Sequence, residues 1–150
     1  MDMLNKVSDC GRPKNSQQFG RAVEYAVFSK LLMSGGELFL PAVDDDGIDV
    51  LVKRPIDKKV VYVQIKAKSL TSTDPGLFAA ISHSSRPDYW FIFYSEKHDK
   101  VWVLSSNEFL KEASVNPPGS KNAGKYTINF GKKGTRLSQY EVKDFSRVLY

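Results

Sequence analysis

Two segments near the middle of the chain alternate apolar and polar residues with the two-residue period of half-buried strands. The first runs Gly47-Ile48-Asp49-Val50-Leu51-Val52, and the second runs from Val60 to Lys68. Ile48, Val50 and Val52 fall on one face of the first, and Val61, Val63 and Ile65 on one face of the second. Setting Ile48, Val50 and Val52 opposite Ile65, Val63 and Val61, or shifting that pairing by an even number of residues, keeps the apolar sets together, whereas a one-residue slip would turn one set out to water. Pro55-Ile56-Asp57-Lys58 is a loop of hairpin length between them. In this pairing Asp49 lies opposite Gln64, and Lys66 follows on the same polar face.

Helical spacing comes before the hairpin. Phe19, Ala22, Val23, Ala26, Val27 and Leu31 recur at intervals of three and four, behind Asn15 or Ser16 as a cap and ahead of Gly35-Gly36 as a stop. The pattern predicts a helix to about Ser34. Glu37–Val43 reads as a short strand, and Asp44-Asp45-Asp46-Gly47 as an acidic turn. After the hairpin, Pro75 favours the first turn of a helix from Leu77 to about Ser84, closed by Pro87. Tyr89–Tyr94 is a nearly unbroken aromatic and apolar run, the mark of a buried central strand. Val101–Leu104 is another strand. Ser105 and Glu108 have capping-box spacing for a short helix, and Tyr126–Phe130 is a late strand. Ser138 and Glu141 repeat the box ahead of a final helix with Val142, Phe145, Val148 and Leu149. The order of the first elements is helix, three strands, helix, strand. It predicts an α/β fold with a mixed central sheet and helices on both faces. Residues 1–14 read as a flexible leader and 15–150 as one domain.

Composition fits an ordinary globular chain, with 41% hydrophobic and 26% charged residues among 150. No apolar run is long enough to span a membrane, and the first residues lack the apolar core of a signal peptide. Cys10, the single cysteine, can form no internal disulfide, which fits a reducing cytoplasm. Lys plus Arg number 22 against 17 Asp plus Glu, for a formal charge of +5. Acids gather at Asp44, Asp45, Asp46 and Asp49. Beyond residue 120 lie Lys121, Lys125, Lys132, Lys133, Arg136, Lys143 and Arg147, against only Glu141 and Asp144. An acidic pocket in basic surroundings suits work on a phosphate backbone, although uneven surface charge alone would read as a solvated face.

Asp49 and Gln64-Ile65-Lys66, on neighbouring strands behind a helix that carries Glu24, resemble the PD-(D/E)xK nuclease superfamily. Its members carry one acid at the second core strand and an acid-x-Lys on the third. Gln64 stands where most have Asp or Glu, as in the Gln-x-Lys variants, and Ile48 replaces the usual Pro. The resemblance covers roughly Ser16 to Tyr94. It implies a restriction endonuclease-like core in the order αβββαβ and a metal-dependent DNA endonuclease using Mg²⁺ or Mn²⁺. Holliday-junction resolvases and restriction enzymes are relatives by this resemblance.

Asp49, Gln64, the Ile65 carbonyl and Glu24 would then hold the metal, and Lys66 would orient water and stabilise charge on the phosphate. Lys68 and Ser69 would meet nucleic acid. The expected partner is branched or duplex DNA, and a homodimer is left open. The alternative is a non-catalytic module of the same fold that binds nucleic acid or a protein. Tyr89, Trp90 and Trp102 read as strand core, and His83 and His98 as structural or turn residues.

Overall fold

Asn15 accepts the Gln18 N–H at 2.9 Å and starts helix α1 (Ser16–Met33), so the cap falls where the sequence places it. The computed structural model describes residues 2–4, 11–43 and 46–150. Cys10, Asp44 and Asp45 lie outside the described residues. Behind α1 come β1 (Glu37–Phe39), β2 (Val50–Lys53), β3 (Val60–Lys68), β4 (Leu77–Ile81), β5 (Tyr89–Ser95) and β6 (Lys100–Ser105). The chain continues through α2 (Ser106–Glu112), β7 (Ser114–Val115), β8 (Tyr126–Asn129), a 3₁₀ turn at Ser138–Tyr140, β9 (Glu141–Val142) and α3 (Ser146–Leu149).

Six strands form a mixed sheet in the order β1-β2-β3-β5-β6-β9. β3 and β5 run parallel and the other neighbours antiparallel. Val50 pairs with Val63 and Val52 with Val61, one of the registers that keep the apolar faces together. One face packs Val50, Val52, Val61, Val63, Ile65, Ile92 and Val103 against Val23, Val27 and Leu31 of α1 and Val148 and Leu149 of α3. Met3 is buried in this layer, with Leu4 against it. The opposite face is aromatic: Phe91, Phe93 and Trp102 pack beneath Phe109 of α2 and beneath a second sheet, β4-β8-β7, through Phe78, Ile81 and Ile128. Each fully buried aromatic contributes about 1.5–3 kcal/mol of apolar burial. Among the described residues, no helix is long and apolar enough to cross a membrane.

The α/β expectation with a mixed central sheet holds, and two of its helices do not. Leu77–Ser84 was expected to be helical, so the second helix of the αβββαβ order is corrected to strand β4. Phe78 pairs with Ile128 and Ile81 with Tyr126, so three steps along β4 match two along β8. The extra residue is a bulge, with Ala80 at φ +58°. It brings Phe78 and Ile81 onto one face at a spacing of three, which imitates helical periodicity. The final helix expected from Ser138 is corrected too. Ser138–Tyr140 makes a single 3₁₀ turn, Glu141 and Val142 then pair with the β6 edge, and the α-helix is confined to Ser146–Leu149.

Candidate active site

Three strands set out the polar face of β3 in rows. Gln64 lies beside Phe91 and Leu104, Lys66 beside Phe93 and Trp102, and Lys68 beside Ser95 and Lys100. Side chains of β3 alternate, so Gln64, Lys66 and Lys68 share the aromatic side of the sheet while Ile65 turns to the other.

Asp49 reaches the same place from β2 by a local irregularity. β2 begins at Val50, opposite Val63, yet the Asp49 N–H also meets the Val63 carbonyl at 2.9 Å. Asp49 and Val50 therefore both face Val63, as in a bulge. Alternation slips by one residue there, and Ile48 packs with the aromatic cluster instead of with Val50 and Val52. The expectation that Ile48 shares their face is thereby corrected. The slip aims Asp49 along the strand edge, where its Oδ2 accepts the Ile65 N–H at 2.6 Å. A strand residue projects its N–H and C=O to the same side, so the Ile65 carbonyl faces the same edge, past the start of β2.

Gln64 is held from behind. The Tyr89 hydroxyl stands within hydrogen-bond reach of two acceptors, the Gly47 carbonyl and Gln64 Oε1, the latter at 3.1 Å. A carbonyl oxygen has two lone pairs, so Oε1 keeps capacity for a second partner. Gly47 adopts φ +65°, and a Cβ there would lie 3.0 Å from Gln64 Nε2. Only glycine lets the loop close on this amide. Arg86 lies over the Tyr89 ring at 4.9 Å and donates to the Asp46 carbonyl at 3.0 Å. Burial pushes the Tyr89 phenol above its ordinary range, opposed by the Arg86 charge and aided by Asp49. Tyr89 is thus a neutral hydrogen-bond donor.

Lys66 is half-buried and has no ion-pair partner among the described residues. Lys68 Nζ lies 6.0 Å from the Phe78 ring centre, and Ser69 Oγ is 2.9 Å from Thr71 Oγ1. Glu24 stands on α1, on the aliphatic side, paired with Arg21 at 2.7 Å. Arg21 and Asp49 line one cleft of about 200 Å³, whose apolar wall includes Tyr25, Leu40, Pro41 and Ile48. Asp49 is thus seated on the Ile65 N–H beside the α1 cleft, Gln64 and Lys66 leave β3 on its aromatic side, and Glu24 pairs with Arg21, which lines the same cleft as Asp49.

A metal must fit this donor set. Among the described residues no three His, Cys, Asp or Glu side chains gather. Mg²⁺ does not need such a cage, because it keeps several waters and takes one or two carboxylates plus substrate phosphate oxygens. One carboxylate, one amide oxygen and one strand-edge carbonyl meet that requirement.

Sequence reasoning gave no site role to Tyr89, Arg86 or Arg21. Tyr89 sits in an aromatic run that reads as core, and its hydroxyl alone marks it out. His83 is structural. Its Nε2 lies 2.7 Å from Ser106 Oγ, which also accepts the Arg86 N–H at 3.0 Å, and its ring packs on Tyr89 and Phe91. Burial first, and then the Arg86 charge, lower its pKa to about 4.

No protein-family model matches the chain, and no curated protein sequence does. Among solved structures the fold is similar to a bacterial homing endonuclease, I-Ssp6803I, with a TM-score of 0.51 and 13% identity over 75% of this chain and 88% of that one. The chain has a nuclease-like α/β fold.

Proposed function

We propose that the protein is a metal-dependent DNA endonuclease of the PD-(D/E)xK type, with Gln64 in the position of the second acid. One observation carries the reading: the Asp49 carboxylate is seated on the Ile65 N–H, between Gln64 and Lys66, within a nuclease-like fold. Asp49, the Gln64 amide oxygen and the Ile65 carbonyl would hold Mg²⁺ or Mn²⁺. When bound, the ion polarises the phosphate and makes a water more acidic. Tyr89 approaches the Gln64 oxygen from one side, and the second lone pair of that oxygen would serve the ion. Lys66 donates hydrogen bonds to the attacking water and to phosphate oxygens as their charge grows. The water oxygen bonds to phosphorus and gives up a proton to solvent, while the bond from phosphorus to the bridging ester oxygen breaks and that oxygen leaves with a proton. Lys68 and Ser69 contact the adjoining backbone. Glu24 would join the metal through an oxygen while Arg21 holds its Oε2.

Purified protein is expected to nick plasmid or branched DNA with Mg²⁺ or Mn²⁺ and to stop on chelation. Lys66→Ala and Asp49→Ala should each lower the rate by roughly a hundredfold or more. A second reading is favoured by the neutral Gln64, an amide where a second acid would strengthen a metal site, and by the ion pair of Glu24 with Arg21. In it the chain binds DNA or a protein without cutting. Binding that survives both substitutions, with no cleavage by the parent, would select that reading.

A further inference from the structure

Between Ala113 and Arg136 the chain has five basic side chains, Lys121, Lys125, Lys132, Lys133 and Arg136, and no acidic one. Taking these five from the 22 Lys and Arg leaves 17, equal to the 17 Asp and Glu. The formal excess of the whole chain therefore resides in this segment. The fold concentrates it further, because the segment supplies β7, β8 and their flanking loops. None of the five is in an ion pair with a described residue, whereas six other cations are.

Both loops are built rather than slack. Asn116 accepts from Gly124 and donates to Lys125 through the backbone, and its side chain bonds Asn122 and Thr127. In the other loop, Gly131 bonds the Asn129 side chain, Arg136 returns its N–H to Phe130, and Lys100 holds the Gly134 carbonyl. Lys125 precedes β8 and Lys132 follows it, so the two basic groups flank the ends of one four-residue strand, roughly 13 Å long at strand rise. Between them Ala79, Ser114, Val115 and Asn129 are exposed. At its other edge the small sheet meets the site, where Lys68 lies against Phe78 of β4.

From this placement we infer that the β4-β8-β7 sheet is the duplex-docking surface of the protein. Its two loops clamp phosphates on either side of a groove and guide the backbone toward Lys68 and Lys66. The choice of DNA as partner rests on the phosphodiesterase reading. Five cations carried on two hydrogen-bonded loops at the ends of one strand match a rod of regularly spaced phosphates.

The test uses the full chain, with a 25-base-pair duplex and chelator present, and follows fluorescence anisotropy across a salt series. The pairs Lys121→Ala/Lys125→Ala and Lys132→Ala/Lys133→Ala should each weaken binding on the order of tenfold or more at 0.1 M salt and flatten the log–log salt slope by about 2. Lys143→Ala, outside the segment, should match the parent, and circular dichroism checks that all variants fold. Parental affinity and slope in both pairs would overturn the inference. So would a polyglutamate peptide that binds as well as the duplex and with the same dependence, since that would mark an acidic protein partner. Loss of docking in the pairs, with no cleavage by the parent, upholds the surface and removes the hydrolase. Intact docking in the pairs, with cleavage that Lys66→Ala abolishes, does the reverse.

Discussion

Asp49 does two jobs that substitution can separate. Its carboxylate carries charge toward the cleft and also satisfies the half-buried Ile65 N–H at 2.6 Å. Asn keeps an acceptor for that N–H, whereas Ala leaves the donor unpaired, at a cost of about 1–3 kcal/mol. Asp49→Asn should therefore unfold within about 1 kcal/mol of the parent, while Asp49→Ala loses more, as urea titration would measure. Both should be equally defective in cleavage. Equal stability of the two variants would mean that the bond to Ile65 contributes nothing. The common side of Gln64, Lys66 and Lys68 was legible in the sequence, since two-residue alternation fixes which side chains leave one strand together, whereas Asp49 was expected opposite Gln64 and instead faces Val63. The bulge that turns Ile48 away was not legible, because one extra residue facing Val63 leaves no mark in the local pattern. Arg86 was equally hidden, since its contacts with Asp46, Tyr62 and Tyr89 join distant parts of the chain.

Elements were legible where the local signal and the final packing agree. α1 carries both a cap and an apolar stripe, and β5 is too aromatic and too uniformly apolar to be anything but central. β4 was misread because its bulge produces the three-residue spacing of a helix. The segment after Ser138 was misread because the open β6 edge outcompetes a cap. β4 also depends on a close approach that no pattern announces. Gly76 accepts the Phe130 N–H, and a Cβ on it would collide with the Gly131 carbonyl. Gly76→Ala should force the β4–β8 junction apart and destabilise the fold by about 2 kcal/mol or more. Hydrogen exchange would locate the loss in the small sheet, and protection equal to the parent's in β4 and β8 would contradict the steric account.

At the scale of the molecule, the two sides of the large sheet differ in chemistry and in acid response. His83 joins the β4–β5 connection to β5 and α2 on the aromatic side. Its pKa is lowered from 6.5 to about 4, so between those values the unfolded chain binds the proton and the native one does not. Stability from this group is complete above pH 6.5 and drains away as the pH falls toward 4. The melting temperature should drop across that window in the parent and drop less in His83→Gln; identical slopes would refute the assignment. Glu108 adds a second, lower step. Burial raises its pKa, but bonds from the Ser105 N–H and Arg147 more than offset that and hold it below its usual range. The two-sided construction also hands the experimenter a built-in pair of optical reporters. Trp102 stacks on Phe130 at 4.3 Å inside the aromatic layer, while Trp90 packs against the aliphatic layer beneath the Arg147 guanidinium at 5.4 Å. With one indole on each side, emission from Trp90→Phe and Trp102→Phe proteins would time the loosening of each layer separately.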